Sequence, residues 1–154
     1  MCGDCLDACK PISEQHQQPP LIQELRIDLA DYEGGERWAK YSFFNIGSDE
    51  TKYRLSVGSV PNGSVVHWHA GDAMQPQHSG DNFSTHDQDN DTYGNNCAVH
   101  YRGAWWYKAC YLANLNGYQH QGNHSGPADG INWQKWRGHN YSLRRTSMMI
   151  RPAF

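Results

Sequence analysis

Asp87-Gln-Asp-Asn-Asp91, running on through Cys97 and Trp105-Trp106 to Cys110, sets three carboxylates on alternate residues beside a pair of cysteines. Carboxylates this close repel one another unless a hard cation or abundant water relieves them. An oxygen-rich donor set favours calcium over the transition metals. Two EF-hand frames fail. From Asp87 the sixth loop position is Thr92 and the twelfth Ala98; from Asp89 the sixth is Gly94, but the fifth is Tyr93 and the twelfth His100. Neither frame supplies the bidentate glutamate that closes such a loop. Two readings stay open on the residues alone. One is a looser calcium loop in which Asp89 and Asp91 give carboxylates and nearby main-chain carbonyls complete the shell. The other is a solvated turn rich in Asp and Asn.

The surrounding composition suits a loop-rich domain pinned by aromatics. The 154 residues fit one domain and include fifteen Gly, six Trp and nine Tyr, while Leu and Ala are too scarce for a helical bundle. A net charge of −3 and thirteen scattered basic residues give no reason to expect nucleic acid. No stretch approaches the apolar length that spans a bilayer. Cys97 and Cys110 enclose twelve residues; closing so short a loop contributes roughly 3 kcal/mol in the chain-entropy model. Disulfides persist in oxidising compartments, which favours a secreted setting. The start, Met1-Cys2-Gly3-Asp4, shows neither basic nor apolar signal-peptide regions. A missing start reconciles the two observations.

Periodicity divides the chain. Residues 1–21 form an irregular segment that ends near Pro19-Pro20. Leu25-Arg-Ile-Asp-Leu29 alternates with period two and predicts a half-buried strand. Glu33-Gly-Gly-Glu36 is a hairpin turn signal, after which Trp38–Ile46 and Tyr53–Val57 predict two more antiparallel strands. From Gly58 to about Asn132 the pattern vanishes among Gly, Asn, Asp, Ser and His. So long an irregular stretch needs a metal, a disulfide or both. Tyr141 to Ile150 alternates loosely and predicts a returning strand. The fold expectation is therefore α+β: a small antiparallel sheet, a long calcium- and disulfide-stabilised loop region, and few short helices.

Ordered motifs carry a family likeness. Phe83-Ser-Thr-His-Asp-Gln-Asp-Asn-Asp91, Asn96-Cys-Ala98, Gly103-Ala-Trp-Trp-Tyr107, Cys110, Asn114-Leu-Asn-Gly117 and Gly130-Ile-Asn-Trp133 follow one another in sequence. They resemble the C-terminal half of fibrinogen-related domains, the globular modules of fibrinogen, ficolins, tenascins and angiopoietins. Leu25–Leu29, Ala39-Lys-Tyr41, Tyr53-Arg-Leu55 and Met148–Pro152 extend the likeness, so that residues 22–154 read as a partial fibrinogen C-terminal domain. The resemblance implies a calcium site of two Asp side chains and two downstream carbonyls, which fall on Asp89, Asp91, Tyr93 and Asn95. It implies a disulfide between Cys97 and Cys110, and a cis peptide at Ala109–Cys110 as in sugar-binding members.

The likeness has two departures. Ficolin-like members hold an acetyl group in an aromatic cup beside the calcium. Tyr101 matches one wall and Ala128 a small floor residue. The His that usually follows the second Cys is Tyr111 here, the Tyr before Ala128 is Pro127, and a further aromatic wall falls on His139. The acetyl pocket implied at Tyr101, Ala109, Cys110, Tyr111, Ala128 and His139 is thus altered. The fibrinogen-type peptide hole departs further, since its acidic residues fall on Tyr101 and Ala128. The family's N-terminal subdomain is the second departure. Residues 1–20 stand in its place without resembling it, which leaves an apolar sheet face to be covered. The expectation is a fragment, with a swapped or partner-supplied strand as the alternative.

Other groupings carry less. Cys2, Cys5 and Cys9 supply half of a zinc site with no fourth cysteine nearby, and bonding between chains is the plainer role. His67 and His69 read as exposed loop histidines, and Trp105-Trp106 as buried packing. Asn62, Asn82, Asn90, Asn123 and Asn140 begin glycosylation sequons, of which Asn90 lies inside the acidic loop. No nucleophile elbow, phosphate loop or metalloprotease helix is present. The functional expectation is a secreted, non-enzymatic recognition module that holds calcium and docks a glycan or a protein, either lectin-like or as a receptor- or matrix-binding domain. Oligomerisation is expected through a missing N-terminal region or through Cys2, Cys5 and Cys9.

Overall fold

The computed structural model describes residues 22–60 and 69–153. Strand β1 (Gln23–Ala30) keeps the predicted alternation, with Leu25, Ile27 and Leu29 buried. Its other face carries Arg26 and Asp28, paired at 2.7 Å, with the Arg26 guanidinium over the Trp38 ring. The chain reverses at Asp31. Its buried carboxylate accepts hydrogen bonds from the backbone N–H groups of Glu33 at 3.0 Å and Gly35 at 2.6 Å, and Gly34 takes a positive φ of 85°. Strand β2 (Glu36–Ile46) then pairs antiparallel with β1 and with the short β3 (Leu55–Val57).

Two sequence expectations are corrected here. Tyr53–Val57 is not one strand, because Lys52 and Tyr53 both have φ of 54°, a left-handed conformation that extended pairing excludes. The predicted strand from Tyr141 to Ile150 is broken as well. Tyr141–Ser142, the seventh strand of the chain, pairs with Gly122–Asn123, and only Arg145–Pro152 joins the main sheet. Between them the Leu143 N–H turns to the Ile131 carbonyl at 2.7 Å and the Arg144 N–H to Ala30 at 2.9 Å. The buried Leu143 is drawn into the irregular half, which ends the run.

The remaining elements are helix α1 (Gln75–His78), helix α2 (Cys97–His100), β4 (Ala113–Asn114), β5 (Gly122–Asn123), β6 (Asn132–Trp133), helix α3 (Gln134–Arg137), β7 (Tyr141–Ser142) and β8 (Arg145–Pro152). The main sheet has the order β3-β2-β1-β8, while β4–β6 and β5–β7 are separate two-residue pairs. This is the expected α+β arrangement of small antiparallel sheets and few short helices. As an outer strand of the described sheet, β8 leaves Met148, Met149 and Ile150, side chains from both of its faces, exposed. No helix among the described residues is long and apolar enough to cross a membrane.

Packed against the sheet, the irregular half shares one core with it: Trp105, Trp106, Tyr107 and Trp133 lie with Leu25, Ile27 and Leu55. Trp105-Trp106 is buried as expected. His69 is only half-exposed, edge-on to Trp38 at 5.4 Å, which corrects the reading of a solvated loop histidine; His67 lies outside the described residues.

His78 organises this half. Its side chain is fully buried; Nδ1 lies 2.7 Å from the Trp106 carbonyl, and Nε2 accepts the N–H groups of Leu112 and Ala113 at 3.2 and 3.1 Å. Two donors onto Nε2 leave the proton on Nδ1, so the imidazole is neutral. Burial lowers its pKa to about 4, against an ordinary value of 6.5. An unfolded His78 takes up a proton as the pH falls below 6.5, while the folded one resists until about 4. The stability that His78 contributes is thus complete above pH 6.5 and is lost through that window, on the order of 3 kcal/mol in all. Chemical denaturation from pH 7.5 to 4 should show this slope, and His78→Gln should flatten it relative to the parent chain.

Candidate functional site

The acidic loop is built by its own backbone. Asp91 Oδ1 accepts the Tyr93 N–H at 2.8 Å, and Oδ2 accepts the Cys97 N–H at the same distance. Asp89 in turn accepts the Asp91 N–H at 3.2 Å. Asn96 caps α2 by accepting the Val99 N–H, and Asn90 fastens the loop from beneath through Phe83 and Ser84. Asp87 is turned away and bonds the Thr85 hydroxyl at 2.7 Å. The alternation in sequence therefore separates into two roles: Asp89 and Asp91 face one another, and Asp87 does not join them.

That pairing fits a hard cation. Burial first, and then the Asp89 carboxylate, push the Asp91 carboxyl above its usual range, against two N–H groups that draw it down. Among the described residues no backbone donor reaches the carbonyls of Tyr93 or Asn95. Two abutting carboxylates and two free carbonyls form an all-oxygen donor set, the chemistry calcium takes. The loop is closed from behind by a disulfide between Cys97 and Cys110, with Cα atoms 5.7 Å apart, and by the Thr92 N–H on the Lys108 carbonyl.

Beyond the disulfide lies an aromatic cluster. The peptide Ala109–Cys110 is cis. Tyr111 stands edge-on between Tyr101 at 4.9 Å and His139 at 5.1 Å, and its hydroxyl donates to the Ala128 carbonyl. Burial, and then Tyr101, push the Tyr111 phenol far up, so it remains a neutral donor. The structure thus brings Tyr101, Cys110, Tyr111, Ala128 and His139 together, with Tyr111 buried at the centre, Ala109 and His139 exposed, and Tyr101 and Ala128 partly so. An aromatic ring occupies the middle of the grouping that the sequence reads as a cup.

Two features escape sequence reasoning. A groove of about 600 Å³ runs between the sheet and the irregular half, lined by Ile46, Tyr53, Phe83, Trp105, Leu115 and Met148. Its walls come from six separate segments, so no local pattern announces it. The second is a meeting of His120, His124 and Asp129: the two histidines stand four apart, but the segment between them shows no apolar periodicity that would make that spacing a shared face. Cys2, Cys5 and Cys9 lie outside the described residues.

Known proteins share this fold. Residues 6–153 match the family described as fibrinogen beta and gamma chains, C-terminal globular domain. Ryncolin-4 from Cerberus rynchops is 46% identical over 130 residues, which make up 84% of this chain and 36% of that protein. The chain therefore spans little more than a third of that curated relative. Among solved structures, the fibrinogen-like globe domain of human ANGPTL6 superposes with a TM-score of 0.78 at 39% identity, covering 86% of this chain and 58% of that one. Lamprey fibrin D-dimer, complexed with the peptide Gly-His-Arg-Pro-amide, gives 0.75 at 35% identity, covering 84% and 45%.

The short covalent loop between Cys97 and Cys110 bounds both the acidic turn and the aromatic cluster. Replacing both cysteines with alanine should lower unfolding stability by about 3 kcal/mol, the entropy of leaving that loop open in the denatured chain. Urea denaturation of the double variant against the parent chain measures it, and a difference below about 1 kcal/mol would contradict the constraint.

Proposed function

The chain belongs to the fibrinogen C-terminal globular domain family, and on that premise we propose that it is a secreted, non-enzymatic recognition module with a structural calcium ion. The observation that carries this reading is the facing of Asp89 and Asp91 behind the Cys97–Cys110 disulfide, next to the Tyr101–Tyr111–His139 cluster. In this proposal calcium takes carboxylate oxygens from Asp89 and Asp91 and carbonyls from Tyr93 and Asn95. It supplies charge neutralisation that lets the turn hold its shape. The chain's own residues then present the aromatic cluster to a ligand. We place the module at residues 22–154, after residues 1–21, although the family match itself begins at residue 6.

For the ligand we favour a small acetylated group seated against Tyr101 and Tyr111 over the floor at Ala128, with Ala109, Cys110 and His139 at the margin. Asp129, the carboxylate whose charge reaches Tyr111, is buried and already paired with Arg102 and His120, so a cationic peptide such as the one bound by lamprey fibrin is not favoured. Retention on an N-acetylated sugar resin in calcium, lost on Tyr101→Ala, supports this reading; passage through the resin in calcium overturns it.

A protein ligand is the second reading, and two observations favour it. Tyr111 closes on the Ala128 carbonyl, and the apolar groove beside exposed Met148 offers a contact surface of another kind. Capture of a receptor or matrix protein that free acetyl sugars do not displace, and that Met148→Glu abolishes, would select this reading over the first.

The calcium assignment has its own test. An ion that binds only the folded chain stabilises it by about 2.7 kcal/mol at a hundredfold excess over its Kd. Unfolding stability should rise by that amount with calcium. Asp89→Asn and Asp91→Asn should each abolish the rise, and Asp87→Asn should leave it. Persistence of the full rise in both of the first two variants would refute the ligand set.

A further inference from the structure

Near the β5–β7 pair, two imidazoles and a carboxylate meet away from the acidic loop. His120, His124 and Asp129 each offer one donor atom, and these atoms all lie within 4.8 Å of one another. The two imidazole rings stack with centroids 4.0 Å apart and planes 16° apart, while Nε2 of His120 lies 2.7 Å from Oδ1 of Asp129. Nε2 of His124 is buried and has no hydrogen-bond partner among the described residues. An unsatisfied buried polar atom costs about 1–3 kcal/mol, so this nitrogen calls for a proton donor or an electrophile.

The cluster is held from outside. The His120 N–H donates to Ser142 Oγ at 3.2 Å and the His124 N–H to the Asn140 carbonyl at 3.0 Å. The Asp129 side chain is 1% exposed, and its Oδ2 takes the Arg102 guanidinium at 3.2 Å, which leaves Oδ1 turned to His120. Arg102 is in turn stacked over Tyr118. Arg102 on the Asp129 carboxylate is the kind of outer partner that orients a metal ligand. Gly130 preserves the space, since a Cβ there would stand 3.0 Å from His124 Nε2.

We propose that His120, His124 and Asp129 form a zinc site, with two ring nitrogens and Oδ1 as ligands and a fourth position open to water. Two imidazoles and one carboxylate suit zinc, whereas calcium takes six to eight oxygens. Zinc bonds of 2.0–2.2 Å set tetrahedral donors roughly 3.3 Å apart. Rotation of the two partly exposed imidazoles would widen the 2.7 Å His120–Asp129 pair and draw His124 in to that spacing. The site is independent of the calcium loop and of the ligand reading above, since it shares no residue with either.

The test uses the full chain carrying Cys2→Ser, Cys5→Ser and Cys9→Ser, so that thiolates do not compete. Zinc chloride titrated calorimetrically in excess calcium should bind one ion per chain, and His120→Ala and His124→Ala should each weaken it at least tenfold. Cobalt(II) in place of zinc should develop visible absorption of a four-coordinate site, lost in the same variants. Both histidines are partly exposed, and circular dichroism checks that their variants keep the parent fold. Asp129 also holds Arg102, so the histidine variants carry the test. No zinc uptake in this background, or uptake unchanged in both histidine variants, would overturn the proposal.

Discussion

A chain with only short, scattered elements between its sheet strands must still pair its buried backbone groups, and the buried His78 pairs three of them with one side chain. Its neutral imidazole joins the carbonyl of Trp106 to the N–H groups of Leu112 and Ala113. Three segments that share no ladder are thereby held in one core. Asn114 acts alike, donating to the Tyr101 and Gly130 carbonyls and accepting from the Tyr107 hydroxyl. Trp133 donates to the Ala70 and Gly71 carbonyls. Each is buried, so losing one leaves its partners unsatisfied in a low-dielectric interior, which costs more than the bond itself contributes.

The functional groupings rest on that scaffold. Asp91 reaches the N-terminal end of α2, and the disulfide carries the connection across to Tyr111. The aromatic cluster therefore sits where the acidic turn ends, and neither can move without the other. Close approach of backbone to backbone serves the same end. At Gly117 a Cβ would fall 2.2 Å from the Gly130 carbonyl, so only glycine lets those strands of loop meet.

Much of this was legible in the residues. Alternation at Leu25, Ile27 and Leu29 marked the first strand, and the acidic turn with its flanking motifs marked the family. The strand ends were not legible, because Lys52 and Tyr53 adopt left-handed φ and Leu143 is pulled into the other half by packing. Local propensity does not record such tertiary demands. His78 gave no signal either. A lone histidine in a polar stretch looks solvated until the fold closes three backbone groups around it.

By itself the sequence determined the strands with strict period-two alternation and the oxygen-rich turn, which depend on neighbours within a few residues, and the family, which the order of short motifs along the chain carries. The resemblance had already named Asp89 and Asp91; the tertiary structure alone decided that Asp87 turns to Thr85 and that Tyr111 stands edge-on between Tyr101 and His139. It also decided the meeting of His120, His124 and Asp129. These depend on side-chain direction and on burial against distant segments, quantities that an irregular backbone does not encode as a repeat.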